Sequence, residues 1–270
     1  MLHMALKFNT YDAILIPSSL ALVLLFCILV FLPASSLLQS VGDYMIMLTH
    51  FFILPTIYLA TKTPWLAYII GATCFFSLLY HLVSIEYNGN VVDEKLKIQF
   101  QALDESAQTI LIWMSTILFL FDDMPYIGLP FLMVVGLITA IFGDEKILFA
   151  DVDTLLNGLA IISTLIFICF RLFESNCKMD TRFFTLKRIW QFIFIGLGYF
   201  VLAFSFYFLG TSISNYAGEK EITIYNYLHA SWHICAYMAL FYIFRSRVQR
   251  CYTLLSAVRI KRTQFAIRQP

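Results

Sequence analysis

Charge is scarce in this chain: Asp, Glu, Lys and Arg make up 13% of its 270 residues, against 60% hydrophobic and 17% aromatic ones. A soluble globule draws on about 25% charged residues to cover its surface, so a soluble fold is excluded and the main solvent is lipid. An excess of basic residues is absent too. With 18 Lys and Arg against 17 Asp and Glu the net charge is +1, which leaves no global basic excess to bind nucleic acid and no long charged tail of the kind that implies disorder. The six cysteines lack the even spacing of a disulfide framework and form no C-x-x-C pair. They read as packing residues, with Cys177 and Cys251, beside basic residues at the ends of apolar runs, open to reversible acylation. No Asn-x-Ser/Thr sequon occurs, so no face is marked by glycosylation.

Apolar runs dominate what remains. A helix crosses the hydrocarbon core in about 20 residues, and runs of that kind fall at 13–33, 44–61, 65–87, 105–121, 125–142, 153–171, 189–213 and 223–244. The connections are short and carry charge, Pro, Gly or Asn; the one long polar connection, Glu86 to Glu105, includes the turn signal Asn88-Gly89. The expected fold is an all-α integral membrane protein, a seven-helix transmembrane bundle with an additional N-terminal hydrophobic helix. Residues 1–43 form the N-terminal segment, 44–245 the core and 246–270 a basic tail. Eight spans with a cytosolic C-terminus place Lys95, Lys97, Lys146 and Lys220 outside and the other 14 of the 18 basic residues inside, as the positive-inside rule requires. The first run is read as a retained helix. Lys7 before it and Ala34, Ser35 and Ser36 after it also fit a cleaved secretory signal, which leaves seven spans.

Only five histidines exist, His3, His50, His81, His229 and His233, and the last three fall in the outer parts of apolar spans. Ionisable side chains in a membrane are costly, which makes each a functional candidate. His229 and His233 are spaced i, i+4 on one helical face, the geometry of two ligands to one metal, or of two histidines that bond neighbouring helices. Ser77 and His81 repeat the spacing, with about 6 Å of rise between them. The topology brings Ser77-x-x-x-His81, Asp104 and His229-x-x-x-His233 toward the same leaflet. Three neutral histidines plus water make a catalytic zinc pattern with an open position. In it His81, His229 and His233 bind Zn2+, Asp104 accepts a proton from water or orients it, and Ser77 hydrogen-bonds water or a developing oxyanion. Helix capping is the bland alternative for Asp104, which stands at the expected start of the fourth span.

Phe75-Phe-Ser-Leu-Leu-Tyr-His81, Asp104 nine residues before Trp113, and Tyr225-Asn-Tyr-Leu-His-Ala-Ser-Trp-His233 resemble the three motifs of the transmembrane-protein-eight and myomaker family. Leu54-Pro55 followed by Ala60-Thr-Lys62 resembles that family's first core helix, and the likeness covers residues 44–245. The wider superfamily includes alkaline ceramidases and progestin and adiponectin receptors. The resemblance implies an intramembrane zinc site of one serine, one aspartate and three histidines, here Ser77, Asp104, His81, His229 and His233. It departs from the family at Ala107-Gln108, where a Gly-Ser pair is usual. It implies a zinc-dependent lipid amidase or acyl hydrolase near the outer leaflet, or a myomaker-like factor for cell–cell fusion with structural zinc; a receptor follows from the superfamily alone. The partners expected are a membrane lipid as substrate or ligand and a second copy in a homodimer, with no nucleic acid. The plasma membrane is the expected location, an endomembrane the alternative.

The remaining features carry no chemistry. His50, mid-span beside Thr49, reads as a helix-packing polar residue rather than a fourth ligand. Asp122-Asp123 before Pro125 reads as a loop, Trp65, Trp190, Tyr216, Tyr225 and Tyr227 as interfacial anchors, and Gly196-Leu-Gly198 as part of an apolar helix.

Overall fold

The computed structural model describes residues 10–32, 36–60, 64–88, 94–121, 125–143, 146–147, 150–152, 155–163, 166, 183–214 and 219–267. They form helices α1 (Thr10–Leu29), α2 (Ser36–Thr49), a 3-10 turn (His50–Ile53), α3 (Leu54–Ala60), α4 (Pro64–Asn88), α5 (Glu94–Phe121), α6 (Pro125–Phe142), α7 (Phe183–Ser214) and α8 (Glu219–Ile267). Residues 155–163 are also helical. The two-residue strands Lys146–Ile147 and Ala150–Asp151 pair antiparallel. Three stretches, Leu37–Ala60, Trp65–Ile85 and Gln191–Ile213, are long and apolar enough to cross a membrane, and Ala13–Leu29 and Pro130–Phe142 are shorter apolar helices. Large apolar side chains stand far out of the protein, Phe31 at 87% exposure and Tyr68 at 77%. Water would penalise such a surface and lipid does not.

Two boundaries differ from expectation. Hydropathy placed the start of the fourth run at 105, but α5 begins at Glu94. Asp104 is therefore ten residues into the helix and caps nothing; its reading as an N-cap is corrected. At the other end, α8 runs through Arg245 to Ile267, beyond the expected limit at 244. Arg245 is buried there with its guanidinium over the rings of Phe192, at 4.5 Å, and Phe241, at 5.8 Å. That stacking covers the charge where the apolar run ends. The expected readings of Cys177, Asp122-Asp123 and Tyr216 lie outside the described residues.

The second run is a broken helix, and Pro55 accounts for the break. Proline has no N–H and its ring clashes with the carbonyl four residues back, here that of Phe51. The Leu54 N–H takes the Phe51 carbonyl instead, a bond of the tighter 3-10 kind. Non-helical backbone at membrane depth persists where it is buried in protein, and His50 and Ile53 of this turn are buried.

Helix α8 is the hub, packing on α1, α2, α3, α5 and α7. Around its middle Tyr227, Ala230, Ile234 and Met238 join Phe26 of α1, Ile46 of α2 and Tyr199 of α7 in one apolar cluster. Tyr237, Leu240 and Phe244 join Ile53, Leu66, Ile70, Met114 and Leu132 in a second. The N-terminal helix is tied in by a polar contact as well. The Ser19 and Tyr199 hydroxyls are hydrogen-bonded at 2.7 Å, and both lie against the Ile16 carbonyl, at 2.9 and 3.5 Å respectively.

The α2–α8 contact sets the site. Tyr227 donates to the Leu38 carbonyl at 3.1 Å, Asn226 donates to Asp43 Oδ1 at 2.7 Å, and further along His50 lies against His233. The two helices therefore run parallel. His50 is seven residues beyond Asp43 and His233 seven beyond Asn226, two helical turns in each case, so the Asp43–Asn226 bond fixes the height at which the histidines meet. Gly42 permits the approach, because a Cβ there would lie 2.9 Å from the Asn226 Cβ. Gly42→Val is expected to destabilise the protein by about 1–3 kcal/mol through overpacking. Gly71→Ala, with open space at its Cβ, is expected to be neutral or up to about 1 kcal/mol stabilising. Thermal unfolding in detergent of both variants beside the wild type checks the contrast.

Candidate metal centre

Four histidine rings meet where α4, α8 and the 3-10 turn come together. The His81 Nε2 and His233 Nε2 atoms are 3.2 Å apart. Nitrogens that share a proton stand at that distance, and so do two ligands of one zinc ion: Zn–N bonds of about 2.0–2.1 Å at a tetrahedral angle separate them by roughly 3.3 Å. Ligand nitrogens of His50, His81 and His233, all buried, lie within 4.8 Å of one another. The His229 ring packs against the same pair, its centroid 5.0 Å from His81 and 4.8 Å from His233. His50 is 5.6 Å from His81 and 4.5 Å from His233. No ring contact joins His50 to His229 among the described residues.

Backbone geometry decides which nitrogen His50 offers. Its Nδ1 is 3.0 Å from the Ile46 carbonyl and 3.2 Å from the Met47 carbonyl. Carbonyls only accept, so Nδ1 carries the proton and Nε2 of the neutral ring keeps its lone pair. That nitrogen is enclosed and makes no hydrogen bond. An Nδ1–H held by a carbonyl is the arrangement that orients metal-binding imidazoles. His50, read from sequence as a packing residue, packs against His81, His233 and Tyr237 and also stands in a group that could hold a metal ion. Its side chain bonds its own helix end and turns its acceptor nitrogen toward the other histidines. Sequence carried one signal for this, Pro55 in the middle of an apolar run, which marks a break in the helix and hence a side chain aimed unlike its neighbours'.

Beside the histidines, one turn along α4 and α8, stand Ser77, Asp104 and Tyr237. The Thr73 hydroxyl of α4 is shared between the Ile69 carbonyl of its own helix, at 2.9 Å, and the Ala107 carbonyl of α5, at 3.2 Å, which ties the two helices together near Ser77 and Asp104. Gln108 Nε2 donates to Asp104 Oδ2 at 2.8 Å, so the glutamine orients the carboxylate. The Ser77 side chain reaches both the Asp104 carboxylate and the Tyr237 hydroxyl, but neither contact has the geometry of a full hydrogen bond, so Ser77 Oγ and Asp104 Oδ1 have no well-formed partner. His229 Nε2 is likewise enclosed without a partner. Each buried polar atom left unpaired costs about 1–3 kcal/mol. Four of them, His50 Nε2, His229 Nε2, Ser77 Oγ and Asp104 Oδ1, gather in one place, which fits a metal ion and polar guest better than dry packing. Tyr80, Tyr225 and Trp232 wall the cluster, with ring centroids 5.1 Å from His81, 5.2 Å from His229 and 4.5 Å from His233 respectively.

All five residues nominated from sequence thus sit in this region, Ser77 and Asp104 at one level and His81, His229 and His233 at the next, with His50 added. In comparison with known proteins, the chain matches no family model and no curated protein. The bonding of His50 gives a direct check. In protein labelled with 15N-histidine, the His50 signal, assigned by its loss in His50→Ala, is expected to show a protonated Nδ1 and a bare or metal-shifted Nε2; the opposite tautomer at His50 contradicts the geometry.

Proposed function

We propose that this protein is a zinc-dependent lipid amidase or acyl hydrolase of the membrane, with its site in the outer leaflet. The observation that carries the reading is the convergence of buried histidines with lone pairs available beside an unpartnered carboxylate oxygen and an unpartnered hydroxyl. The resemblance to the transmembrane-protein-eight and myomaker family points the same way and nominates His81, His229 and His233 as the residues that hold the metal. Zinc bound there supplies a Lewis acid for a lipid carbonyl and an activated water.

The chain's own groups have distinct tasks. Asp104, with Oδ2 held by Gln108 and Oδ1 only loosely approached by Ser77, accepts the proton of the attacking water. Ser77 donates its O–H to the carbonyl oxygen as negative charge develops on it. The apolar helices admit the lipid tail and exclude bulk water, which strengthens both interactions. Eight passes with the basic tail in the cytosol suit the parallel course of α2 and α8, both then running from outside to inside. The plasma membrane is the compartment we propose.

A second reading is a myomaker-like membrane-remodelling factor in which zinc is structural. It is favoured by the fourth histidine, because four protein donors close a zinc site whereas catalytic sites keep a position open.

Detergent-purified wild type is expected to hold about one zinc per chain by elemental analysis, lost in His81→Ala and His233→Ala. Asp104→Asn and Ser77→Ala are expected to keep the metal and lose about 10²–10³-fold in hydrolysis of ceramides, glycerophospholipids or lipid-anchored proteins. Zinc-free, well-folded wild type sinks both readings. Zinc without turnover of any of these substrates leaves the structural one.

A further inference from the structure

The ring arrangement is a pair of triangles with a common edge. His81 and His233 form that edge, their Nε2 atoms 3.2 Å apart. His50 completes one triangle, with centroid distances of 5.6 and 4.5 Å to the shared pair. His229 completes the other, at 5.0 and 4.8 Å. Both outer histidines present a buried Nε2 with no partner. A single three-histidine site requires one such nitrogen, and this chain has two.

We propose that one metal ion is held by His81 and His233 together with either His50 or His229, so that the chain carries two overlapping three-histidine faces. The proposal rests on the reading of the cluster as a metal site. An imidazole binds one ion through one nitrogen, so the common edge admits one ion at a time and the two faces compete for it. His50 is the more constrained of the outer pair, its Nδ1 tied to the Ile46 and Met47 carbonyls at the end of α2. His229 stands on α8 one turn from His233 and moves with it. Transfer of the ion from one face to the other exchanges one imidazole for another and consumes no reagent.

The two kinds of histidine are then unequal under substitution. In detergent-purified full-length protein, His50→Ala and His229→Ala are each expected to retain about one zinc per chain, and the double variant to lose it. His81→Ala and His233→Ala lose it singly. Zinc-edge X-ray absorption of His229→Ala is expected to show three imidazole ligands. Cobalt-loaded His50→Ala is expected to differ from cobalt-loaded wild type in its visible absorption bands, because a mixture of two ligand sets becomes one. Loss of zinc from a monodisperse His229→Ala protein overturns the proposal while leaving the metal site intact. Where that variant does not fold, an unchanged cobalt spectrum in His50→Ala overturns it equally. Wild type that binds no metal removes the underlying reading, a result distinct from either.

Discussion

The bond from Asn226 to Asp43 governs the geometry of the centre. It joins two parallel helices that come close enough for the contact because residue 42 has no side chain. In lipid a hydrogen bond between helices is worth about 0.6–2 kcal/mol, a modest sum, but its value here is positional. A slip of one residue along either helix turns side chains by about 100°, enough to take His50 away from His233. The apolar clusters on both sides of α8 tolerate small shifts because dispersion contacts are many and individually weak. The polar pair does not, and so the register is held by the least apolar contact in the interface.

Proline adds the second constraint. In a continuous helix the Ile46 and Met47 carbonyls would be taken up by backbone N–H groups alone. The break imposed by Pro55 ends α2 at Thr49, and the last turn's carbonyls draw in side chains: Thr49 donates to Ile46 at 2.6 Å, and His50 shares the same acceptor. Satisfying a helix end inside a membrane thus also fixes the tautomer of a histidine. The same residue is at once a cap for α2 and a donor with its lone pair turned inward, which is why replacing it disturbs more than one interaction.

The helical architecture was legible in the hydrophobic runs, and three stretches, Leu37–Ala60, Trp65–Ile85 and Gln191–Ile213, are long and apolar enough to cross a membrane. The runs did not report helix ends. The segment 94–104 contains Glu94, Lys95, Lys97 and Asp104 and so fails a hydropathy reading, yet it continues α5 without interruption, since a helix outlasts the lipid it crosses. His229 and His233 were recognisable as a pair because helical periodicity is local. His50 was not, since its partners come from α4 and α8 and only the folded register shows them. Nor could spacing reveal that Gln108 holds one oxygen of Asp104, although the i, i+4 interval allows it; many such pairs on a helix never bond.

The centre has two levels, and their difference argues against plain packing. On one level histidines offer lone pairs to one another, an arrangement with too few protons to satisfy every nitrogen. One turn along, Ser77 and Asp104 have hydrogen-bonding capacity left over beside the Tyr237 hydroxyl. Were the cluster a structural polar network, the surplus on each level would be used up within it, because an unsatisfied buried network is worse than an apolar core. Instead His50 Nε2, His229 Nε2, Ser77 Oγ and Asp104 Oδ1 are buried without a well-formed partner in the same region. A cation answers the histidine nitrogens and a polar carbonyl or water the oxygens of Ser77 and Asp104, so each level has the chemistry the other lacks. The two levels are built by different residues, carried on α4, α5, α8 and the 3-10 turn.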